Sequence, residues 1–530
     1  MNMATTPKEI VFEEEAREKL FKGIKEVADV VAFTLGPRGR NVGMEKSWGA
    51  PTITNDGASI AQDVEFEGFD NLGVSITKEV VQKIKEKAGD GTTTGTLLLR
   101  SLVEQGIKYI ASGASPILLK RGMEKAINAV MKEIDTMAKP IKEKSEIESI
   151  ATVSASGSQE IGKLIADAME KVGTGGVITI EEAKTLDTTI EVVEGMQFDR
   201  GYISPYFCNN AEKMIAEISN VQILLIDKKL NNIHELLPLL QAAAAANQEL
   251  LIIAEDIEGD VLSTLVVNRL RGTLRVAAVK APGFGDSRKA MMEDIAIMTG
   301  GTVISDETGF NLAEATPDLF GHADKVTLTK DSTTLIAAGH EEAVQERVKQ
   351  IENEMKNTDN SYEAEKLEER KAKLSGGVAV IHVGAATEPE MKQKKQVTED
   401  SLNSTKAALE EGVVPGGGCA LLRAISCLDS LQLEGDEELG CDIVRRALKA
   451  PAKQIVNNAG YDGSVVIAEL KSEKATMGFN ALTGKKEDLL KAGIIDPAKV
   501  VKSALEAASS AAGIVLLSEA LVIDAKEDES

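Results

Sequence analysis

The chain has 530 residues, of which 43% are hydrophobic and 27% charged, a composition typical of globular proteins with two to four domains. Lys and Arg number 60 and Asp and Glu 84, which gives a formal net charge of −24. So acidic a surface repels phosphate backbones. We therefore expect neither a nucleic-acid partner nor an anionic membrane partner.

The cysteines and histidines are scattered, four of each, and no two cysteines form a Cys-X-X-Cys pair. This usage indicates a reducing compartment and offers no zinc pattern. The N-terminal segment MNMATTPKEI lacks both the apolar core of a signal peptide and the basic, Ser-rich pattern of a transit peptide. The apolar run Ala511–Leu517 is too short to cross a bilayer. We therefore expect a cytoplasmic protein, in the bacterial cytosol rather than an organelle.

The first predicted element is a helix over residues 14–35. Leu20, Ile24 and Val27 recur at helical spacing. The helix should end at Gly36-Pro37, because proline lacks the backbone donor that the next turn needs. The segment TLGPRGRN, residues 34–41, is a glycine-containing turn with a basic rim. It fits two interpretations: a helix stop with solvated arginines, or a backbone wall beside a bound anion.

A short strand over Thr52–Thr54 and an Asp-Gly turn are predicted next. Asp56 is either the residue that initiates this turn or a carboxylate directed at a ligand site. The sequence alone favours the turn, because Asp commonly initiates turns.

Residues 88–96, AGDGTTTGT, form the most informative stretch, because two glycines flank Asp90 and three threonines follow before a helix predicted to begin near Leu97. Backbone N–H groups at such a helix start can hold phosphate, while Asp90 can bind Mg²⁺. The alternative is an ordinary N-capped helix, since Asp and Thr are favoured there in any case. Helices dominate up to about Pro140.

The central part of the chain changes to alternating strands and helices. A first strand is predicted over Gly175–Ile180. Further strands are predicted at Val221–Ile226, Leu250–Ala254, Arg275–Val279 and Thr302–Ser305, with helices near 231–246, 258–270 and 287–298. This alternation is typical of an α/β layer with a mostly parallel sheet. The predicted fold class is therefore multidomain, α and α/β.

The C-terminal part returns to helix. Residues 341–374 predict a charged helical hairpin with a turn near residues 357–362, and a strand Val378–Val383 leads into a long helix, Met391–Glu411. A second glycine-rich turn, VVPGGG at 413–418, precedes a helix from Cys419. The Ala- and Ser-rich remainder to about Ile523 is predicted to be helical, and the acidic tail Asp524–Ser530 to be disordered.

Small residues mark both connections between the helical ends and the central insert. Pro140 and Gly412 mark one pair of crossing points between these parts, and Gly195 and Gly376-Gly377 mark the other pair. Paired connections of this kind can hinge, because small residues absorb backbone rotation. The same residues are equally consistent with simple turns.

Two candidate phosphate sites differ in quality. Residues 157–164, GSQEIGKL, resemble a Walker A motif, but Leu164 replaces the Mg²⁺-binding hydroxyl and the segment has the pattern of a helix interior. The composite candidate combines Gly89–Thr94, Gly36-Pro37, Asp56, Asp400 and the glycines at 416–418. Together they contain phosphate donors, a metal ligand and a carboxylate that could activate water. The residues alone do not establish that these segments meet.

Seven motifs resemble those of the group I chaperonins, the GroEL type, in a match that runs from about residue 8 to residue 523. They are TLGPRGRN (34–41), DG (56–57), GDGTTT (89–94), VVEGMQFDRGY (192–202), KAPGFGD (280–286), GGVAV (376–380) and EEGVVPGGG (410–418). The resemblance implies an ATP-dependent molecular chaperone that captures non-native polypeptides in a ring cavity and folds them with a GroES-type lid co-chaperonin. It also implies heptameric rings, usually stacked in pairs, and ATP, Mg²⁺ and K⁺ as cofactors.

The same resemblance implies three domains. Residues 1–137 and 412–530 would form a mostly α equatorial domain for ATP binding and ring contacts. Residues 138–193 and 378–411 would form an intermediate hinge domain, and residues 194–377 an α/β apical domain that binds substrate and lid. Pro140, Gly195, Gly376, Gly377 and Gly412 would then be the hinge residues.

The resemblance further implies a nucleotide site divided among several segments. Asp90 matches the Mg²⁺ ligand, Asp400 the residue that activates water, and Asp56 a second acidic residue that supports hydrolysis. Because Asp400 falls in the intermediate domain, it would reach the phosphate only when that domain swings down. The other implied nucleotide-binding residues are Thr34, Leu35, Gly36, Pro37, Asn55, Gly91, Thr92, Thr93, Thr94, Gly417, Asn480, Ala481, Leu482 and Asp496.

The implied substrate and lid surface is apolar and lies mainly on two apical helices. Periodicity alone would assign its residues to the core, and only the resemblance places them at the surface. Two adjacent apolar ridges form a groove without polar specificity, which suits many clients bound multivalently. The residues are Tyr202, Tyr206, Phe207, Ile233, Leu237, Leu240, Leu262, Val266 and Val267.

The sequence departs from the family pattern at four places. Asn55 stands where bacterial members commonly have Lys, Gly95 and Leu482 stand where alanine is usual, and the end KEDES lacks the usual Gly-Gly-Met repeats. An alternative follows: a divergent paralogue that assembles but cycles ATP weakly and acts as a holding or structural protein. The three retained aspartates of the site favour the active chaperone.

Overall fold

The computed structural model describes residues 7–45, 51–141, 143–155, 157–173, 176–183, 185–210, 214–305, 312, 315–358, 360–471 and 473–525. The chain divides into two compact units, one of residues 1–166 with 396–530 and one of residues 167–395. Both chain ends therefore belong to one unit. The three-domain boundaries given above are finer than this division and stay a prediction.

The first unit is mostly helical. Its N-terminal part contains β1 (Lys8–Phe12), α1 (Glu13–Ala32), β2 (Val42–Met44), β3 (Thr52–Thr54), α2 (Gly57–Asp63), α3 (Asp70–Ala88), α4 (Thr92–Ala111), α5 (Pro116–Met137), α6 (Lys144–Ser154) and the start of α7 (Gln159–Val172).

The second unit takes the end of α7 and contains most of the strands. Its elements are β4 (Val177–Glu182), β5 (Thr189–Val193), β6 (Gly195–Phe198), β7 (Ala216–Leu230), α8 (Ile233–Ala245), β8 (Glu249–Ile257), α9 (Gly259–Leu270), β9 (Val276–Lys280), α10 (Gly285–Thr299), β10 (Val303–Ile304), β11 (Gly321–Leu328), β12 (Thr333–Ile336), α11 (Glu341–Asn357), α12 (Ser361–Ser375), β13 (Val378–Val383) and the start of α13 (Glu388–Glu411).

The chain then returns to the first unit, which takes the rest of α13. This part contains β14 (Val413–Pro415), α14 (Cys419–Ala424), α15 (Asp436–Ala447), α16 (Ala450–Asn458), α17 (Gly463–Leu470), β15 (Met477–Asn480), β16 (Lys485–Asp488), β17 (Ile495–Pro497), α18 (Ala498–Leu517) and β18 (Ala520–Asp524).

Two helix boundaries differ from the prediction. α1 ends at Ala32, before Gly36, and α4 begins at Thr92 rather than near Leu97. The threonines after Asp90 are therefore the first turn of the helix. The Walker-like segment was correctly rejected, because Gly162 lies inside α7. A Cβ on Gly162 would come within 2.0 Å of Thr152 Oγ1, so this glycine allows α6 and α7 to pack closely.

One apolar core joins α1, α3, α4, α5, α15 and α18 of the first unit. Where α1 crosses α3, a Cβ on Gly23 would lie 2.0 Å from the Asp70 carbonyl oxygen and a Cβ on Gly73 would lie 2.1 Å from that of Leu20. Glycine at both positions lets the two backbones approach. Each fully buried aliphatic side chain in this core contributes about 1.5–3 kcal/mol.

The helix α18 of the first unit is both long and apolar. The run Ala511–Leu517, expected to be too short for a bilayer, ends this 20-residue helix. By length and composition α18 could cross a membrane. The argument that the apolar run is too short to cross a bilayer was therefore wrong. However, 61% of its most apolar stretch is buried inside the fold. Ala504, Ala508 and Ala512 are completely buried, which is the behaviour of a core helix.

The C-terminal segment was predicted to be helical throughout, and this prediction was wrong, because the segment also contains strands. β15 pairs with β16 and β14 with β17, both antiparallel. The last strand, β18, pairs with β1 and places Asp524 opposite Lys8. The disordered tail predicted from Asp524 therefore cannot begin there, and residues 526–530 lie outside the described residues. Two-stranded pairings between distant segments have no local sequence pattern, because the partner supplies the hydrogen bonds.

The second unit is built on a seven-stranded sheet with the order β6-β12-β11-β7-β8-β9, to which β10 adds by pairing with β7. The four strands predicted in this region are β7, β8, β9 and β10, and they pair in parallel. Residues 223–226 of β7 are completely buried, as is usual for a central strand covered on both faces. The helices predicted between these strands, α8, α9 and α10, are also present.

The expectation of a mostly parallel sheet was wrong for the remaining three strands, β6, β11 and β12, which pair antiparallel. β11 pairs antiparallel with β7 and with β12, and β12 pairs antiparallel with β6. β11 and β12 are joined by a tight turn at Thr329–Ser332, where the Thr329 amide donates to the Ser332 carbonyl at 2.9 Å. A tight turn can join only antiparallel neighbours.

The predicted helical hairpin is present as α11 and α12, and a buried carboxylate joins it to α10. Asp294 is 2% exposed and accepts hydrogen bonds from Arg370 at 2.8 and 2.9 Å and from Arg347 at 2.8 Å. Its charge is therefore compensated inside the protein. Part of the predicted turn, residue 359, lies outside the described residues.

A small sheet with the order β4-β13-β5 completes the second unit. The predicted first strand begins at Val177 as β4, while Gly175 lies outside the described residues. Gly195 and Gly377 meet at one edge of this sheet. A Cβ on Gly377 would lie 3.0 Å from the Val193 carbonyl oxygen, and a Cβ on Gly195 would lie 2.7 Å from Val378 Cγ2. The two chain connections thus run side by side at this level.

The other pair of connections also meets, within the first unit. Lys139 and Val413 exchange backbone hydrogen bonds of 2.9 and 2.8 Å, directly beside Pro140 and Gly412. Gly412 has φ +80°, and a Cβ there would lie 2.6 Å from the Lys139 carbonyl oxygen, so glycine is required. The hinge role stays a prediction for all five residues named for it: Pro140, Gly195, Gly376, Gly377 and Gly412.

Candidate functional site

The N-terminus of α4 is open. Gly91 precedes the helix in the left-handed region, with φ +90°, and no side chain caps the first turn. The Asp90 side chain instead accepts from the Gly91 amide at 2.6 Å, outside the helix. The first amides of a 20-residue helix therefore remain available to an anion. The ordinary-cap alternative fails, because Asp90 does not bond to the amides of the first helical turn.

Asp56 lies at the start of α2 and faces the same region. Its carboxylate accepts from the Ala58 amide at 3.1 Å and the Ser59 amide at 3.0 Å, so it is the N-cap of a helix rather than part of a strand-to-strand turn. A Cβ on Gly57 would lie 2.2 Å from Thr93 Oγ1, which shows how closely α2 approaches the start of α4. The charge of Asp56 also raises the pKa of Asp90 and of Asp400, and its role at a ligand site stays a prediction.

Asp400 lies on the part of α13 that belongs to the first unit. Burial, together with the charges of Asp56 and Asp90, raises the pKa of its carboxyl to about 7, although Lys85 and a hydrogen bond from Gln396 act to lower it. A carboxyl whose pKa lies near neutrality can accept a proton and release it again. Asp400 is therefore within electrostatic reach of Asp90 in this conformation. That it reaches the phosphate only after a domain movement stays a prediction.

Asp496 closes the site from the C-terminal part of the chain. The pairing of β14 with β17 places it beside the glycine turn, and the amides of Gly417 and Gly418 donate to its carboxylate. Burial, with a contribution from Asp90, raises the pKa of Asp496 to about 7. Gly417 has φ +61° with open space where a Cβ would point, so a ligand can approach its backbone.

The loop at residues 34–37 lies next to the segment at residues 480–482. Arg38 donates to the Leu482 carbonyl at 2.9 Å. The Asn480 side-chain oxygen accepts from the Leu482 amide at 2.9 Å, which holds this second segment in a turn. The Leu35 carbonyl in turn accepts from the Asn458 side chain at 2.9 Å. Segments whose bonded residues, Arg38 and Leu482, are 444 positions apart in sequence therefore form one wall.

Metal ligands are sparse among the described residues. No three His, Cys, Asp or Glu side chains in that part of the chain lie close enough together to hold a metal ion without other ligands. Mg²⁺ commonly keeps waters and phosphate oxygens and takes only one or two protein carboxylates. The donor set, Asp90 beside an open helix N-terminus, fits a metal that arrives with phosphate.

The structure thus brings together the aspartates at 56, 90, 400 and 496, the start of α4 and the glycine turn, and it places the loops at 34–37 and 480–482 against each other. Asn55, the departure from the family pattern, is exposed beside Asp56. Sequence reasoning missed Arg38, Lys85 and Gln396. Gln396 could have been found, because it precedes Asp400 by one helical turn and i, i+4 side chains meet.

Most of the residues predicted to form the apolar surface are at least partly exposed in the structure. Tyr206 is 62% exposed and Val267 is 42% exposed. The other members with some exposure are Tyr202, Ile233, Leu237, Leu262 and Val266, which are half-buried. The helices α8 and α9 that carry most of them contact each other. Leu270, which the prediction omitted, is 64% exposed and continues the spacing of Leu262 and Val266.

Two predicted members of this surface are core residues. Phe207 is completely buried and Leu240 is 7% exposed. In the 3-10 turn Pro205–Phe207, neighbouring side chains diverge, so Phe207 enters the core while Tyr206 faces solvent. Leu240 follows Leu236 by one turn on the inner face of α8, and both belong to the core of the second unit. These two residues support the surface from beneath.

Residues 27–526 match the model of the TCP-1/cpn60 chaperonin family. Over 525 residues, 99% of this chain and 98% of the relative, the chain is 66% identical to Chaperonin GroEL 3 of Protochlamydia amoebophila (strain UWE25). The fold resembles that of the chaperonin gp146 from bacteriophage EL 2 (Pseudomonas aeruginosa), crystallised in the presence of ATP-BeFx. That comparison has a TM-score of 0.71 at 20% identity and covers 98% of this chain and 100% of the phage chain.

The chain therefore belongs to the TCP-1/cpn60 chaperonin family, and the resemblance found in the sequence is confirmed. Its GroEL-like combination of α and α/β units is confirmed as well. As a member of this family the protein is a molecular chaperone. Nucleotide binding and assembly into oligomeric rings are properties of the family.

Proposed function

We propose that this chaperone hydrolyses ATP at the start of α4 and uses the cycle to capture and fold non-native polypeptides. The observation that carries the proposal is the group of four aspartates, 56, 90, 400 and 496, around a helix N-terminus that no side chain caps. In a chain of net charge −24, four half-buried carboxylates around one site are costly unless a cation joins them.

Each segment has a distinct role in holding ATP. The amides of Thr92, Thr93 and Thr94 bind the phosphates, with the threonine hydroxyls as further donors, while the Gly91 amide holds the Asp90 carboxylate. Mg²⁺ bound at Asp90 would offset the phosphate charge and polarise the γ-phosphoryl group. The remaining contacts come from Thr34, Leu35, Gly36, Pro37, Asn55, Gly417, Asn480, Ala481, Leu482 and Asp496, with the ribose at Asp496 and the adenine at 480–482.

Asp400 is the base for hydrolysis, and Asp56 supports it. A bond forms between the water oxygen and the γ-phosphorus while the bond to the β,γ-bridging oxygen breaks, which gives ADP and phosphate. The water proton passes to Asp400 and then to solvent. Because the pKa of Asp400 lies near neutrality, part of the population carries the carboxylate at neutral pH and can accept this proton.

Client capture takes place on the exposed part of α8, α9 and the adjoining turn. The exposed and half-buried apolar side chains there form a surface without fixed polar demands, which fits unfolded chains. We further propose heptameric rings, stacked in pairs, a GroES-type lid that binds the same surface, K⁺ as a second cation, and a cytoplasmic location. The paired connections at Gly195 and Gly377 and at Pro140 and Gly412 would let the domains move during the cycle.

The test is Asp400→Ala in the assembled protein. ATP should still bind, because the phosphate donors and Asp90 are unchanged, while turnover should fall by about 100-fold or more, since a general base contributes about 10²–10⁴-fold. ATP binding by calorimetry and phosphate release at saturating ATP measure the two effects. Glu399→Ala, one residue earlier on α13, is the matched control.

Unchanged turnover in Asp400→Ala would remove the base assignment. Weak turnover in the unaltered protein, together with capture of an unfolded client, would instead support the alternative of a holding paralogue. Asn55 is the residue whose change from Lys motivates that alternative. Asn55→Lys should then raise turnover.

A further inference from the structure

The carboxylate of Asp400 is held by a neighbour on its own helix. Nε2 of Gln396 donates to Oδ1 of Asp400 at 2.8 Å. The two residues are four positions apart on α13, so one helical turn places them on the same face. Both side chains are only partly exposed. The hydrogen bond is therefore sheltered and its geometry is set by a rigid element.

Three charged residues on neighbouring elements act on the same carboxylate. Lys85 belongs to the last turn of α3, Asp56 caps α2, and Asp90 precedes α4. Lys85 favours the charged form of Asp400, as does the Gln396 hydrogen bond, whereas burial and the two aspartates disfavour it. Gln396 is the one neutral donor in this set, so it can orient the carboxylate without adding charge to the site.

We propose that Gln396 is a positioning residue for ATP hydrolysis, which occupies Oδ1 of Asp400 and leaves Oδ2 to accept the proton of the attacking water. This inference rests on the proposed role of Asp400. A general base must lie within hydrogen-bond reach of the proton it removes, and a small misplacement is costly. With Oδ1 engaged, rotation of the carboxylate is restricted and Oδ2 has a defined direction.

The chemical step is the one given above, with one atom assigned. The water oxygen bonds to the γ-phosphorus, the bond to the ADP oxygen breaks, and the water proton moves to Oδ2. Gln396 exchanges no proton. Its donor bond stabilises the carboxylate and weakens when Asp400 becomes protonated, so the residue acts through Asp400 and has no contact with ATP in this role.

The test uses Gln396→Met and Gln396→Ala in the assembled full-length chaperone, with Gln393→Ala as the matched control on the same helix. Met keeps the length of the side chain and the helix propensity but removes the donor. Phosphate release is measured at saturating ATP from about pH 5.5 to pH 9, and KM is measured at each pH. Assembly is checked by size before each assay.

In both Gln396 variants kcat should fall by about 3- to 10-fold at neutral pH, the effect expected for the net contribution of one typical hydrogen bond. The loss should be smaller at high pH, because the acid limb of the rate profile moves to higher pH by about half a unit to one unit. KM should change by less than about 2-fold, because Gln396 does not bind ATP. Gln393→Ala should match the unaltered protein.

An unchanged pH profile in Gln396→Met would overturn the inference. An equal loss at every pH, with poorer assembly, would also overturn it and leave Gln396 a structural residue. The proposed function fails separately, if Asp400→Ala keeps normal turnover. If Asp400→Ala is inactive while Gln396→Met behaves normally, only the positioning role is lost.

Discussion

The two candidate surfaces of this chaperone are built on opposite principles. In the first unit, the site around α4 combines half-buried carboxylates with uncapped backbone amides, so its parts are costly unless a ligand joins them. In the second unit, α8 and α9 leave apolar side chains in solvent above a complete core. The polar site is thus defined by residue chemistry, whereas the apolar surface is defined by exposure alone.

The largest effect is expected at the polar site. Asp90→Ala should abolish Mg²⁺-dependent ATP hydrolysis, with a loss of about 100-fold or more, because the change removes the proposed protein ligand of the metal. Phosphate release across a Mg²⁺ titration measures it. Asp63→Ala, at the exposed end of α2, should behave as the unaltered protein. Normal turnover in Asp90→Ala at low Mg²⁺ would show that the metal is held elsewhere.

The second prediction separates surface from core in the second unit. Phe207→Ala should destabilise this unit by about 3–5 kcal/mol, because it leaves a cavity in a closed core. Val267→Glu should leave stability unchanged and stop capture of an unfolded client, because it puts a charge on the proposed binding surface. Urea unfolding and suppression of client aggregation measure the two effects.

Normal capture by Val267→Glu would show that the client surface lies elsewhere. Leu240→Glu provides a control on the same pair of helices, because a charge at this buried position should unfold the unit rather than block capture selectively. A Leu240→Glu variant that folds normally and fails only in capture would show that Leu240 belongs to the client-binding surface.

The third prediction concerns the pH dependence of stability without nucleotide. The pKa of Asp496 is raised from 3.8 to about 7 in the folded state, so the folded protein binds more protons than the unfolded chain between these values. Its contribution to stability therefore falls as the pH rises from about 4 to about 7, by on the order of a few kcal/mol at most.

Asp496→Asn should remove this loss. The difference in urea midpoint between Asp496→Asn and the unaltered protein should be near zero at about pH 4 and favour the variant above about pH 7. Addition of Mg²⁺ and ATP should reduce that advantage, because the variant weakens the proposed ribose contact. A difference independent of pH would show that burial of this carboxyl carries no net cost.

Local chemistry was largely readable before the fold. The helices α1 and α13 and the strands β7, β8 and β13 follow from apolar spacing, because each element must turn one face or both faces to a core. The resemblance of the glycine- and aspartate-containing motifs identified the family, which the comparisons confirm. By contrast, β1 and β18 were missed because each has its partner at the other end of the chain. The strand β16 was also missed, although it pairs with β15 across a short turn.

The sequence by itself determined the helix periodicity, the acidic surface and the loop Gly89–Thr94, because these depend on neighbouring residues. Only the tertiary structure decided which apolar residues face solvent: Tyr206 and Phe207 are adjacent, yet one is exposed and the other buried. It also decided that Asp400 lies within reach of Asp90, and that Gln396 holds its carboxylate. Burial and long-range electrostatics arise only when distant segments pack, so no local pattern contains them.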